Sequence, residues 1–388
     1  MHGYTLGGNN PKVSIWDKFS TMFFGGYSHV SKDMTDPGRH KKNDNLMLDE
    51  ASLYYGGQIA PHVGTFWQAS YSGADDNATL WDMVEARGAW DTQLAKKDLT
   101  YGFTINNGPS MSDLWQTAMM WQFPYFSNDV APAPMAMPYL MTPDGTIGLG
   151  AFGMWNDTVY AELDDYASLQ NGIQRGLGIQ GPANNDHLMG FNPYWRVALQ
   201  HDFGPNYASI GMLGFYEHHY PGNDRTSGTD STSDTGIDAT FQRAVGDNSY
   251  SLYASYIHEK QNLNASVLLG NSTNATDKLN TFEINGSYYY QNTYGITAEY
   301  FNTTGSQDAK LYMMDSTAHK PDNAGWTLQA DYTPWGKNGS PLGTNFNVRL
   351  FARYTYYLKF NGGTTNYNGA GRNASDNNLL YTGMEVAF

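Results

Sequence analysis

The chain has 388 residues, no cysteine, 42 glycines, 29 tyrosines and a formal charge of −15. The missing thiols exclude disulfides, thiol catalysis, zinc ribbons and a CxxCH haem attachment within the chain. The acidic balance, with RHKK at 39–42 as its one basic cluster, excludes nucleic acid as a partner. No apolar run reaches 18 residues and no heptad pattern persists, so transmembrane helices and coiled coils are excluded. A membrane barrel is not, because its inward residues keep the average hydropathy low.

No Pro- or Ser-rich linker divides the chain, and one architecture is expected from 13 to 388 after an N-terminal, periplasmic-side segment at 1–12. The opening MHGYTLGGNNPK lacks a charged-then-apolar signal, which leads us to expect a processed or truncated chain. Alternation and turn signals predict sixteen strands in order: 13–30, 46–60, 62–72, 80–93, 98–107, 145–155, 157–168, 193–203, 206–217, 235–245, 248–260, 279–291, 293–303, 324–334, 344–360 and 377–388. Tight connections such as WND at 155–157, FGPN at 203–206 and GDN at 246–248 alternate with long polar ones at 31–45, 169–192, 218–234, 261–278, 304–323 and 361–376. Short turns on one rim and long loops on the other are the pattern of an all-β, transmembrane, up-and-down antiparallel barrel of the outer membrane of a Gram-negative bacterium. A soluble sandwich has no reason to keep that alternation through so many hairpins. The model puts both termini and turn residues such as Asn156 and Asp247 in the periplasm, with Asn274 and Asn368 outside the cell.

The strand faces agree. Phe346, Val348, Leu350, Ala352, Tyr354, Tyr356 and Leu358 alternate with Asn347, Arg349, Phe351, Arg353, Thr355, Tyr357 and Lys359; the first set reads as lipid-facing and the second as lumen-facing. Trp195, Trp326, Tyr256, Tyr300 and Tyr356 fall near long loops, and Trp155, Phe203, Tyr290 and Trp335 near short turns, as two interfacial girdles would require. Inferred lumen acids are Glu85, Glu162, Asp164, Glu283, Glu299 and Asp331; inferred lumen bases are Arg87, Arg196, Arg349 and Arg353. Their excess of acids predicts a mild cation preference.

One connection, about 107–144, is too apolar to extend into water. Its Trp115, Met119, Met120, Trp121, Phe123 and Tyr125 mark it as a constriction loop folded into the barrel, with Gly148 and Gly150 leaving room on the next strand's lumen face. A cap packed above the barrel mouth is the other reading. The crowd of methionines there reads as gap-filling packing ahead of soft-metal binding. Paired His218 and His219 point opposite ways on a strand, so no metal is assigned to them. No nucleophile elbow is present, and no catalytic residue is assigned.

The stretches GYTLGG (3–8), DEASLYYGGQIAPHVGTFWQASY (49–71), YGFTINNGPSMSDLWQTAMMWQFPY (101–125), YWRVALQHDFG (194–204), SYIHEKQNLNAS (255–266) and GRNASDNNLLYTGMEVAF (371–388) resemble a family of proteobacterial outer-membrane barrels. Members are often labelled cytochrome c and are similar to the porin part of fused cytochrome-porin iron oxidases. The last strand, ending on Phe388, also resembles the carboxy-terminal signal read by the outer-membrane assembly machinery. In haem-bearing members a CxxCH segment stands just upstream of the GYTLGG-like stretch. Two functions stay open at this level. One is a porin-like channel for small polar solutes or ions, with outer-membrane lipid around it and no cofactor in this chain. The other is the sheath of an electron conduit, its haem c supplied by an upstream segment or by a periplasmic or fused cytochrome partner.

Overall fold

The computed structural model describes residues 15–33, 43–73, 77–115, 132–135, 140, 142–313, 316–343 and 346–388. The expected segment 1–12 lies outside the described residues. A 3₁₀ turn at Ile15–Lys18 leads into β1 (Phe19–Val30), followed by β2 (Asp44–Ala60), β3 (Val63–Ser72), β4 (Asn77–Leu94), β5 (Lys97–Asn106), β6 (Thr146–Trp155) and β7 (Val159–Ser168). After the two-residue β8 (His187–Leu188) come β9 (Pro193–Phe203), β10 (Asn206–Tyr220), β11 (Asp230–Val245), β12 (Asn248–Asn262), β13 (Thr276–Tyr290), β14 (Tyr294–Gly305), β15 (Asn323–Tyr332), β16 (Asn347–Lys359) and β17 (Leu379–Ala387). Every strand but β8 pairs antiparallel with its sequence neighbours, and β17 returns to β1, closing a barrel of sixteen strands. β8 continues the lane of β9 along β10, pairing Leu188 with His219.

Pairing of β17 with β1 closes the barrel. Nine residue pairs, Met22↔Ala387 to Val30↔Leu379, zip the seam. Beyond them Phe388 exchanges backbone hydrogen bonds with Thr21, N–H to O at 3.0 Å and O to N–H at 2.5 Å, and its ring stacks on Phe23 at 5.9 Å. Every such bond matters in lipid, where an unpaired backbone group finds no water. Inside the seam Phe24 stacks on Phe351 at 5.2 Å, and Phe351 meets Tyr381 edge-on at 5.1 Å. Gly383 and Gly25 permit this. A side chain on Gly383 would strike the Phe351 ring and the Gly25 carbonyl, so only glycine fits at this point of the seam.

Burial is inverted relative to a water-soluble protein. Along β13, Phe282 is exposed while Thr281, Glu283 and Asn285 are buried; along β15, Trp326 and Leu328 are exposed while Thr327, Gln329 and Asp331 are buried. Apolar residues look outward to lipid and polar ones inward. Aromatics form belts at both ends of the outer wall. Near the long loops, Tyr256 opposes Phe282, Tyr300 opposes Trp326 and Trp326 opposes Tyr356. Near the short turns, Tyr250 stacks on Tyr288 at 4.6 Å and Tyr294 on Tyr332 at 5.3 Å. Amphipathic rings at these two levels match the headgroup regions of a bilayer.

The rims follow the expected alternation with two exceptions. The connection at 73–76 sits on the long-loop rim yet is short, and 333–346 sits on the short-turn rim yet is long. Asn156 and Asp247 lie in turns on one rim, Asn274 and Asn368 in loops on the other. The inner face is also less uniformly polar than its alternation suggested. Leu140, Tyr166, Leu188, Tyr194, Leu213, Phe215 and Ile257 form an apolar cluster. It gathers Leu140 from the connection after β5 and Leu188 from β8 onto the inward apolar side chains of β7, β9, β10 and β12.

Candidate functional site

The connection after β5 starts at the long-loop rim. Asn107 fixes its departure, accepting the Val84 N–H at 3.0 Å and donating to the Asp82 carbonyl at 2.9 Å. A single helical turn, Pro109–Ser112, then points the chain inward, and the two limbs of the loop are tied by Ser110 Oγ–H to the Leu140 carbonyl (3.0 Å) and Thr142 Oγ–H to the Asn107 carbonyl (2.6 Å). From there the chain descends the inner wall. Ser112 Oγ faces Asp164 Oδ2 at 3.5 Å, and Arg87 Nη2 donates to the Ser112 carbonyl at 3.0 Å. Asp113 lies 3.5 Å from Arg196 Nε, and Trp115 donates its indole N–H to Tyr207 Oη at 2.5 Å while meeting Tyr160 edge-on at 5.0 Å. Tyr160 and Tyr207 each stand one residue from the short-turn end of their strands. Residues 107–115 thus run down the wall from one rim nearly to the other. The return limb does something different: Met135 N–H donates to Asn361 Oδ1 at 3.2 Å, reaching the β16–β17 loop across the mouth.

Two arginines anchor the descent. Arg87 pairs with Glu85 at 2.7 Å, lies 3.9 Å from Glu162 and covers the Phe152 ring at 4.5 Å. Arg196 pairs with Asp238 at 2.9 Å and covers the Trp115 ring at 5.0 Å; its side chain, like that of Asp113, is wholly enclosed. Such an enclosed pair is held together by mutual need, since either charge alone would lack solvation. Glycines make the space. A side chain on Gly211 would collide with Asp238 and Arg196, and one on Gly150 or Gly148 would collide with Asp164 or Tyr166. The room expected at Gly148 and Gly150 is therefore filled by Asp164 and Tyr166 leaning across β6, and the loop is met through Asp164.

The opposite wall is built differently. Arg349 bridges Glu385 at 3.0 Å and Asp331 at 3.8 Å, and Asp331 also accepts from Gln329 at 2.9 Å and Tyr289 at 3.3 Å. Arg353 lies over the Tyr381 ring at 5.1 Å. Glu283 and Glu299 are buried inward on β13 and β14. On β10–β12, Glu217 accepts from Thr232 at 3.2 Å and Glu259 from Gln261 at 2.5 Å, while Asp234 stands directly across from Glu259. Among the described residues none of these three forms an ion pair.

All ten charged residues proposed for the lumen thus sit on the inner face. They divide into a set packed against the descending segment (Glu85, Arg87, Glu162, Asp164, Arg196) and a set on the far wall (Glu283, Glu299, Asp331, Arg349, Arg353). Arg196 and Glu162 do not line open water, because the segment and its neighbours enclose their side chains. Of the constriction residues, Trp115 is buried at the wall; Met119, Met120, Trp121, Phe123 and Tyr125 lie outside the described residues. Asp113, Glu217, Asp234, Asp238, Glu259 and Glu385 were missed. Asp234 and Asp238 alternate with Thr235, Ile237 and Phe241; Asp234 fell outside the strand because it was started five residues late, whereas Asp238 lay within it and its face was legible. His218 bonds Thr229 at 2.6 Å and His219 faces Asp186 at 3.6 Å, and among the described residues no group of three His, Asp or Glu is placed to hold a metal.

No family model and no curated protein matches the sequence. Solved structures do. The chain is similar to OmpF of Salmonella typhi, in complex with daunomycin, with a TM-score of 0.53 and 13% identity over 95% of this chain and 97% of that one. It is also similar to an anion-selective porin from Comamonas acidovorans, with a TM-score of 0.50 and 12% identity over 95% of this chain and 98% of the other. At these identities the likeness establishes the fold, and that fold is the sixteen-stranded outer-membrane barrel of porins.

Proposed function

We propose that this barrel is a passive channel for small polar or ionic solutes, narrowed by the segment that follows β5. The observation that carries the reading is the fixed descent of residues 107–115 along the inner wall, held by Arg87, Arg196 and Tyr207. A sixteen-stranded barrel encloses an aqueous lumen unless something fills it, and a wall-bound segment narrows that lumen without sealing it. Selectivity then follows from charge. The bases Arg87 and Arg196 are consumed by the segment, whereas Glu217, Asp234 and Glu259 face inward with no cation paired to them among the described residues, so the inward field favours cations. Purified chain in planar bilayers tests this: discrete ohmic conductance with a reversal potential favouring K⁺ over Cl⁻ supports the channel, and silent or anion-selective insertions refute it. The resemblance to cytochrome-porin barrels carries the other reading, a sheath around a haem supplied from outside this chain. Haem staining of the same sample, together with any CxxCH encoded just upstream, separates the two.

A further inference from the structure

The outer wall carries a polar patch that neither a channel nor a lipid-facing surface requires. On β12 and β13, Lys260 and Lys278 are direct cross-strand partners, both exposed and both outward, at the end nearest the long loops. Two residues below each stand His258 and Asn280, also paired, and two below those the aromatic belt pair Tyr256 and Phe282. Asn280 Oδ1 is hydrogen-bonded by Tyr256 Oη–H at 2.9 Å and lies 2.7 Å from His258 Nδ1, so the patch is ordered from the belt upward. Its amide nitrogen remains free to donate outward.

Like charges placed opposite one another in an antiparallel pair destabilise the sheet. Among the described residues no carboxylate pairs with them. From β10 to β14 the outward positions carry no Asp or Glu, although the chain bears 37 acids; on these strands Glu217, Asp230, Asp234, Asp238, Glu259, Asp277, Glu283 and Glu299 all belong to the inward set. Two ammonium groups with no anionic partner among the described residues, held four residues above an aromatic belt, stand where lipid headgroups meet the protein. Lysines that merely snorkel to water would not need to be adjacent.

The geometry points to a site for a phosphorylated lipid headgroup at Lys260 and Lys278, with Asn280 as a third donor. Cβ atoms of directly opposed residues lie about 5 Å apart, so both ammonium groups can close on one phosphate, and a doubly charged phosphate monoester matches the pair better than a singly charged diester. We commit to a membrane lipid because the patch faces outward, just beyond the belt on the long-loop side, away from the lumen. A phosphorylated glycolipid meets both conditions.

The test uses the full barrel in phosphatidylcholine nanodiscs doped with bis-phosphorylated lipid A, with its dephosphorylated form, or with phosphatidylglycerol, and reads bound lipid by native mass spectrometry. Phosphorylated lipid A should be retained in preference to the other two, and the double variant Lys260→Gln, Lys278→Gln should lose roughly thirtyfold in that retention. Lys96→Gln with Lys97→Gln, on the opposite rim, should leave it unchanged. Equal retention by wild type and the double variant overturns the site, as does equal retention of the dephosphorylated lipid. Preference for phosphatidylglycerol over the monoester overturns the choice of headgroup. Because both lysines are exposed, the double variant is expected to fold, and unchanged heat-modifiable migration verifies that in each preparation.

Discussion

The wall formed by β4–β9 and the wall formed by β10–β16 face each other across one barrel and dispose of inward charge in opposite ways. On the first, Arg87 and Arg196 are matched to Glu85, Glu162, the incoming Asp113 and, across its edge, Asp238 of β11, and glycines at 148 and 150, with Gly211 of the adjoining β10, leave room for these side chains. On the second, the β10–β14 strands run in regular register and Glu217, Asp234 and Glu259 face inward without a cation among the described residues. The difference teaches that inward charge serves two purposes here. One wall uses it as an anchor, where each charge exists for its partner; on the other, beside the pairs that Arg349 makes with Glu385 and Asp331, Glu217, Asp234 and Glu259 have no cation and supply the inward field.

That contrast breaks most visibly at Arg196. Replacing Arg196 by Ala strands Asp113 and Asp238 in an enclosed site, and breaking a buried pair this way costs about 3–5 kcal/mol. Urea unfolding of the variant in detergent should show that loss, and a loss below about 1 kcal/mol would mean the anchor is not enclosed. Trp115→Phe is milder, because Tyr207 keeps its bond to Gln200 at 2.8 Å; removing the one indole hydrogen bond should cost about 1 kcal/mol. A double-mutant comparison with Tyr207→Phe checks that the loss belongs to that bond.

A third prediction concerns the loops above the field wall. Asp308, in the β14–β15 connection, accepts the N–H groups of Thr273, Asn274 and Leu311 and the hydroxyl of Ser272. Burial alone would raise its pKa, but these donors outweigh it and hold the carboxyl well below the ordinary range. A depressed folded pKa adds stability above the unfolded value of about 3.9, lost as pH falls through the folded value. Amide protection at Thr273, Asn274 and Leu311, read by hydrogen exchange, should therefore persist from neutrality to about pH 4 and decline below it. Asp308→Asn should lower it already at pH 7. The smallest effect on stability is expected from Glu217→Gln, Asp234→Asn and Glu259→Gln together, since buried acids freed of like neighbours lose nothing in folding. Cation preference should nevertheless fall toward neutrality; an unchanged reversal potential would show that the field lies elsewhere.

The barrel itself was legible because lipid imposes period two on every strand, and strands such as Pro193–Phe203 fall where alternation put them. The β15–β16 connection was placed within a few residues, but its length on the short-turn rim breaks the alternation and has no account in the strand pattern. Within the site, Arg87 and Arg196 were recognisable as inward bases from their strand faces. Their role was not, because Asp113 and Ser112 lie in a loop, and nothing in spacing says which wall a loop will descend. The glycines showed the reverse problem: position was right at 148 and 150, but the space they open is claimed by Asp164 and Tyr166, an approach only the folded sheet defines.

The central claim is that the segment after β5 is fixed to one wall and narrows the channel. It is tested most directly by single-channel conductance of a chain in which residues 111–140 are replaced by a short Gly/Ser linker, beside the intact protein and with barrel closure verified by heat-modifiable migration. The account predicts a larger conductance with weakened ion selectivity. An intact barrel whose conductance and selectivity match the parent would contradict it.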